Sequence, residues 1–356
     1  MKINSIRVFF FTEGTAVSPA SRIRVYEYLV RYRGDGPFQA RTVSFTSGTY
    51  CRSIVAGVRN GLGLKFLEKF YQLWAVLRLF AGAITCDVLF IQRVLLPVCV
   101  QKLVRFLNLR IVYDFDDAVY LGARARGARF SSQVRLASRI VAVSRAASLK
   151  ALEAGSRPEK TAVLPSPVDC SAYRAVDRSA GEIFTVGWIG SPATTFFLEE
   201  IWPELESFGK SFPETRFLFI GAGLFDTGEL KTRTSFEHWS PHTERELLST
   251  MDVGLMPLRD DDWCRGKGGY KLIQYMAAGV ACLASPVGAN LEIVADGETG
   301  LFVRPGEWES SLRRLIADRV LAENLGRRGR MRALELYDYS VTAPQFFAIL
   351  EEAGRS

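Results

Sequence analysis

Asp252–Val303, DVGLMPLRDDDWCRGKGGYKLIQYMAAGVACLASPVGANLEIVADGETGLFV, carries a strand, a glycine-rich basic loop, a helix, a second strand and a turn in one unbroken stretch. Val253 to Met256 is a short apolar run of the kind buried in a parallel sheet. The chain then leaves the strand's C-terminal edge through Arg259 to Gly269, and in open parallel sheets that edge is where ligands bind. Gly266, Gly268 and Gly269 let the backbone approach a ligand closely. A helix opening near Tyr270 aims N–H groups and a positive dipole end at an anion. Lys267 and Lys271 are four apart, so they share one face if the helix begins early enough, and such a pair fits a pyrophosphate. An exposed loop with two solvated lysines beside a core helix is the competing reading.

The next elements repeat the arrangement. Val280 to Ala284 reads as another buried strand, and Ser285 to Asn290 as a second turn at the same sheet edge. Asn290 is placed to cap a helix, and Glu292 in its first turn either complements the dipole or reaches a ligand hydroxyl. Asp296-Gly297 and Thr299-Gly300 make a tight turn before Leu301 to Val303. Two adjacent strand ends thus offer polar loops to one crevice.

In order, Met276 to Gly279, Ser285 to Gly288, Glu292 and Gly297 to Val303 resemble the donor-sugar signature of the retaining family 4 glycosyltransferases. The resemblance implies a GT-B architecture, two Rossmann-like, doubly wound parallel-sheet α/β domains facing a central cleft. The family's usual pair of glutamates, seven residues apart, is missing here. Gln274 stands at the second position, where its amide would still serve ribose hydroxyls, and Gly266 lies eight residues before it. A branch of the family reads Lys-x-x-x-Lys-Leu-Leu-Gln-Tyr-Met at this point, which matches Lys267 to Met276.

A chain of 356 residues, 48% apolar and 23% charged, suits two globular domains. No opening segment resembles a signal peptide, and no run reaches the roughly 20 apolar residues of a spanning helix. Cys51, Cys86, Cys99, Cys170, Cys264 and Cys282 show no Cys-x-x-Cys spacing. With two histidines in the chain they read as reduced cysteines of a cytoplasmic protein, and no metal is expected.

Charge is unevenly divided. Residues 1–169 carry 25 Lys and Arg against 11 Asp and Glu, whereas the remainder carries 20 against 27. The first half is therefore expected to face an anionic partner. Gly61 to Gly82, GLGLKFLEKFYQLWAVLRLFAG, reads as a helix whose face of Phe66, Phe70, Trp74 and Leu77 is flanked by Lys65, Lys69 and Arg78. It suits a helix lying in a membrane interface, or equally a buried helix with snorkelling lysines. Nucleic acid is not expected, because no binding motif accompanies the charge.

In the first half, Ile6 to Phe11 reads as a strand and Thr12 to Ala20, containing Gly14, as a loop of small residues. Ser21 to Arg33 reads as a helix capped by Ser21. Arg22 and Arg24 then oppose the dipole in its first turn, which an anionic ligand would explain and which plain surface exposure would also allow. Asp87 to Gln92, Arg110 to Phe115 and Arg139 to Val143 are further strands, each followed by a helical stretch. Arg93 and the cluster Asp114, Asp116 and Asp117 fall at strand ends. The cluster reads as a metal-diphosphate motif, as acceptor-orienting carboxylates or as turn caps. The resemblance favours the acceptor role for Asp116 and Asp117.

A linker is expected at Leu164 to Ala180. The second domain should open with Phe184 to Ile189, turn at Gly190 and Ser191, and continue through Arg216 to Ile220 with its Gly221-Ala222-Gly223 turn. His238 and Trp239 read either as an edge of a base pocket or as packing. A last helix spans Ser340 to Glu352, and in GT-B enzymes that helix crosses back to the first domain. The expected divisions are residues 1–168, 169–338 and 339–356.

Together with the resemblance, these readings imply a metal-independent glycosyltransferase that uses a nucleotide diphosphate sugar as donor and no cofactor, and the resemblance implies that the reaction retains anomeric configuration. Its acceptor would be a saccharide or lipid-linked saccharide of a surface polymer, met at an anionic membrane surface. Lys267, Lys271, Asp116 and Asp117 are the candidate catalytic residues. Gly190, Ser191, Gln274, Gly288, Asn290 and Glu292 are the donor-side candidates, and Gly14, Arg22, Arg24 and Arg93 the acceptor-side ones. A GT-B sugar-nucleotide epimerase or isomerase and a non-catalytic GT-B binding subunit are the alternatives.

Overall fold

A computed structural model describes residues 6–32, 38–58, 60–173 and 183–355. The chain divides into two compact units, one of Met1–Pro167, Gly266–Gly268 and Thr342–Ser356, the other of Val168–Arg265 and Gly269–Val341. Residues 174–180 of the expected linker, and Arg33 at the end of the expected first helix, lie outside the described residues.

The first unit is built on six parallel strands: β1 Ile6–Thr12, β2 Phe38–Ser44, β3 Val88–Gln92, β4 Ile111–Phe115, β5 Arg139–Ala142 and β6 Thr161–Val163. Their order is β2-β1-β3-β4-β5-β6. β3 and β4 are buried at every position, the pattern of strands covered by helices on both faces. The order reverses at β1 and β3, which puts a topological switch point, and so a ligand crevice, at the ends marked by Thr12 and Gln92.

The helix after β1 starts at Pro19, two residues before the expected cap, and it contains a π-helical turn over Arg22–Tyr26 between Pro19–Ser21 and Glu27–Arg31. Ser21 is no cap, because its buried hydroxyl donates to Gln92 Oε1 at 2.8 Å and accepts the Gly14 N–H at 3.0 Å. The fixed φ of Pro19 starts the helix instead.

The helix expected over residues 61–82 runs Leu62–Thr85. Ala75, Leu79 and Ala83 are buried on the sheet, and a Cβ at Gly82 would come within 2.5 Å of the Phe9 ring, so close packing requires glycine there. The terminal helix Tyr339–Arg355 contributes its residues 342–355 to this unit, with Phe346 stacked on Tyr28 at 4.4 Å between ring centroids.

The second unit repeats the plan with β7 Phe184–Ile189, β8 Thr215–Ile220, β9 Thr234–Glu237, β10 Val253–Met256, β11 Ala281–Ala284 and β12 Leu301–Phe302, in the parallel order β12-β11-β10-β7-β8-β9. Trp188 and Ile189 belong to apolar clusters on opposite faces, as the two-residue strand period requires. β7 and β10 pair at Val186–Val253 and Gly187–Gly254 and then part. At the parting, the buried Tyr275 hydroxyl accepts the Ile189 N–H at 3.0 Å and donates to the Leu255 carbonyl at 3.1 Å. A Cβ at Gly254 would lie 2.5 Å from the Tyr275 ring, so glycine makes room for this wedge. The switch point of this sheet is where the tyrosine holds it open.

Candidate functional site

In the second unit the loops after β7, β8, β10 and β11 gather at the C-terminal edge. Gly190 follows β7 directly, and its N–H donates to Ile220 at 2.9 Å. No side chain fits at Gly190, because its Cβ would enter the Trp188 ring. Ser191 and Thr194 form a capping box on the short helical turn that leads into the helix Phe196–Ser211. Gly221 has φ +71°, and its Cβ would approach the Gly190 carbonyl at 2.5 Å, so the two glycine turns lie against each other.

The loop after β10 ends at Gly269, which adopts φ +66° and caps the helix Tyr270–Ala277. This start corrects the expected lysine pair. Lys267 precedes the helix, in the segment Gly266–Gly268 that belongs to the first unit, whereas Lys271 lies in its first turn in the second unit. The Lys271 ammonium stands 4.0 Å from the centroid of the Trp188 ring, the geometry of a cation–π contact. Three residues on, Gln274 is buried and hydrogen-bonds the hydroxyl of Tyr173, whose titration burial pushes far upward.

After β11, the Ser285 hydroxyl accepts the Leu258 N–H at 3.0 Å, tying this loop to the end of β10. Gly288 has φ +55°, and a Cβ there would press on the Arg265 carbonyl at 2.6 Å. Asn290 is not the cap of its helix; Ala289 holds that position and Asn290 is the first helical residue. Its amide donates to the Ser285 carbonyl at 2.9 Å, and among the described residues its buried Oδ1 has no hydrogen-bond partner. Gly269 sits beside that oxygen, with a Cβ position 3.4 Å away. Glu292 lies half-buried in the same short helix. Trp239 packs beside Gly221 and donates from Nε1 to Glu244, which accounts for it by packing, and His238 is exposed.

In the first unit the switch point collects a different chemistry. Arg93, one residue past β3, adopts φ +62°, a left-handed conformation that costs a residue with a Cβ about 1 kcal/mol or more. Its guanidinium lies among three carboxylates, 3.3 Å from Glu13, 3.2 Å from Asp116 and 3.2 Å from Asp117. Three carboxylates thus share one guanidinium. Asp117 also accepts the Ala118 N–H at 2.9 Å, so one of its oxygens has the turn role that the sequence left open. The Gln92 Oε1 accepts from Ser21 and from the Glu13 N–H, while its buried Nε2 has no partner among the described residues. Gly14 is buried in the same loop, where the Thr12 hydroxyl donates to its carbonyl at 2.7 Å. A cavity of about 340 Å³ opens beside Glu13, Arg93, Phe45 and Arg129.

Arg24 departs from its expected role. It is almost fully buried and forms a two-pronged ion pair with Asp114, while its Nη1 donates to the Leu164 carbonyl at 2.6 Å. The positive charge near the start of that helix is explained by a buried aspartate, so no ligand is needed to account for it. Arg22, next to it on the π-helical turn, is half-buried.

Glu13, Gln92 and Tyr275 were missed as site residues. Strand order is the signal that finds the first two, because only the β1–β3 pairing makes adjacent loop starts of residues 79 apart.

Residues 181–318 match the family model described as Glycosyl transferases group 1. No curated protein sequence matches the chain. Among solved structures, the Anabaena protein Alr3699/HepE in complex with UDP and glucose is similar at 17% identity and TM-score 0.75, covering 98% of this chain and all of that one. Sucrose-phosphate synthase from Thermosynechococcus elongatus is similar at 15% identity and TM-score 0.69, with 98% of each chain covered. The lipopolysaccharide outer core galactosyltransferase WaaB is similar at 12% identity and TM-score 0.69, with 98% of this chain and 99% of that one covered. The fold is thus the two-domain α/β fold of GT-B glycosyltransferases, and the match to the group 1 family model lies in the second half of the chain.

Proposed function

We propose that the protein transfers a sugar from a nucleotide diphosphate donor to a saccharide or lipid-linked saccharide, with retention of anomeric configuration and without a metal ion. One observation carries the reading: the matched domain, residues 181–318, contains every loop that gathers at the switch point of the second sheet, from Gly190 to Glu292. HepE is crystallised with UDP and glucose and with UDP-glucose, and we propose a donor of the same chemical class here.

As the glycosidic bond stretches, negative charge builds on the leaving diphosphate, and preorganised donors in a water-poor site stabilise it best. Lys271, steadied on Trp188, supplies one positive charge, and Lys267 is proposed to supply another. N–H groups of the Gly190 and Gly288 turns, with the Ser191 hydroxyl, bind the phosphates. Gln274, Asn290 and Glu292 face the ribose and the sugar. On the acceptor side, Asp116 and Asp117, held by Arg93, orient the attacking hydroxyl, with Gly14 and Arg22 at the same edge. The role is proposed to be cytoplasmic assembly of a surface polysaccharide or glycoconjugate.

The test incubates the protein with a panel of nucleotide sugars, with and without a lipid extract. Release of nucleoside diphosphate only when extract is present supports transfer, and proton NMR of the product then reads the anomeric configuration. A new nucleotide sugar formed without nucleotide release would replace transfer by isomerisation. Binding without any turnover would leave a non-catalytic subunit.

A further inference from the structure

The long helix Leu62–Thr85 has two apolar faces, and only one of them is used. Ala75, Leu79 and Ala83 pack on the sheet, and Glu68 is buried on the same side, accepting the Ser47 N–H at 3.1 Å and its hydroxyl at 2.5 Å. On the far side Leu62, Phe66, Phe70, Leu73, Trp74 and Leu77 are all exposed, Phe66 by 64%, Phe70 by 58% and Trp74 by 47%. At 3.6 residues per turn these six positions fall within an arc of about 120°. Lys65 and Lys69 border the arc on one side and Arg78 borders it on the other, with its guanidinium 5.7 Å from the centroid of the Trp74 ring. A helix merely buried, with lysines reaching outward, would have Phe66 and Phe70 covered.

The stripe does not stand alone. Asn108, at the end of the helix Val98–Leu107, donates to the Ala83 carbonyl at 3.0 Å, which ties the two helices together. That second helix and the residues after it expose Leu103, Phe106 and Leu109, with Lys102 exposed among them. Soluble proteins rarely leave so large an apolar surface uncovered.

Charge decides the occupant. Residues 1–169 hold 25 Lys and Arg against 11 Asp and Glu, so a second copy docking the same face would bring like charges together. A bilayer carrying anionic headgroups satisfies both features at once, because apolar side chains enter the acyl boundary while flanking cations meet phosphates. No helix among the described residues is long and apolar enough to cross a membrane, so the contact lies along the surface. We propose that Leu62–Thr85 is an interfacial helix that seats the first unit on an anionic membrane, with Trp74 at headgroup depth and Lys65, Lys69 and Arg78 on the headgroups. This goes beyond the transfer reading and needs no donor or acceptor to test.

The full chain is floated with vesicles of phosphatidylcholine alone and of phosphatidylcholine mixed with phosphatidylglycerol, at low and high salt. Binding is expected with the mixed vesicles at low salt and is expected to weaken at least about tenfold at high salt. The variant Phe66→Ser/Phe70→Ser/Trp74→Ser should lose at least about tenfold in affinity with its melting temperature kept. Lys65→Gln/Lys69→Gln/Arg78→Gln should lose the preference for phosphatidylglycerol. Brominated lipids should quench tryptophan emission in the native chain and much less in Trp74→Phe. The proposal is overturned if the chain floats with neither vesicle, or if the triple serine variant binds as the native chain does. A concentration-dependent dimer that this variant abolishes, with no flotation, would also overturn it and assign the face to a second copy.

Discussion

The Tyr275 phenol oxygen stands 3.0 Å from the Ile189 amide nitrogen and 3.1 Å from the Leu255 carbonyl oxygen, so one hydroxyl bridges β7 and β10 where they separate. Both backbone groups would otherwise be unpaired in a buried place. Tyr275→Phe is therefore expected to destabilise the protein by about 1–3 kcal/mol, read by denaturant unfolding, and to weaken nucleoside diphosphate binding because Gly190 follows Ile189 directly. Unchanged stability would mean that the strands close on each other without the tyrosine.

Lys271 lies over the face of Trp188, which is wholly buried, so the ring is a fixed platform and the ammonium is directed with little freedom. Loss of a charged hydrogen-bonding partner costs about 1.5–3 kcal/mol, equivalent to roughly ten- to a hundredfold in affinity. Lys271→Ala should weaken nucleoside diphosphate binding by that factor in calorimetry, while binding of the nucleoside without phosphates stays unchanged. Equal loss for both ligands would move Lys271 away from the phosphates.

The second sheet and its loops were legible in the sequence because their signals are local. Buried β10 and β11, the glycines at 269 and 288, and the turn Ser285 to Gly288 are contiguous features, and the structure places them where the pattern put them. What the sequence could not supply was contact across long separations. Arg24 looked like a cation in need of an anion, and its partner, Asp114, lies 90 residues away on another strand. Glu13 carried no motif, and it joins the site only because β1 pairs with β3. The shared helix face of Lys267 and Lys271 was lost for a local reason, since Gly269 in its left-handed conformation caps the helix after Lys267 and leaves that lysine in the preceding loop.

The Arg24–Asp114 pair invites a stability experiment. Each side chain is about 1% exposed, so removing one member strands a buried charge. Asp114→Ala should cost about 3–5 kcal/mol, whereas Arg24→Met/Asp114→Leu should recover much of that loss, because an apolar pair leaves no uncompensated charge. If the double variant is no more stable than the single one, the Leu164 carbonyl that Arg24 also holds is the larger contribution.

Asp116 and Arg93 test the proposed acceptor role of the first unit's sheet edge. Asp116→Asn keeps the size of the side chain and removes the charge that would orient a hydroxyl. The expected result is a fall in kcat of about a hundredfold or more, within the range typical of positioned acid–base groups, with donor affinity unchanged. Arg93→Ala should lower stability as well as kcat, because Glu13, Asp116 and Asp117 lose their common cation. A change in donor affinity with kcat preserved would transfer Asp116 to the donor side.

Asp338 links stability to acid. Burial pushes its carboxyl upward, but hydrogen bonds from the Ser340 N–H and hydroxyl and from the Cys170 N–H together hold it below the ordinary value of 3.8. A carboxyl lowered by folding adds stability that is present above its unfolded value and fades as pH falls through the folded one. The contribution should therefore be complete at neutral pH, begin to fade below about pH 4 and be lost once pH falls below the folded value. Asp338→Ala removes the acceptor for Ser340 at the start of the helix Tyr339–Arg355 and should cost about 1 kcal/mol at neutral pH, with the difference from the native chain closing in acid. Asp338→Asn keeps an acceptor but does not titrate, so it should lose less at neutral pH and show a flatter acid limb. Stability measured by denaturant across that range checks both variants, and a parallel offset at every pH would place the effect in geometry instead of charge.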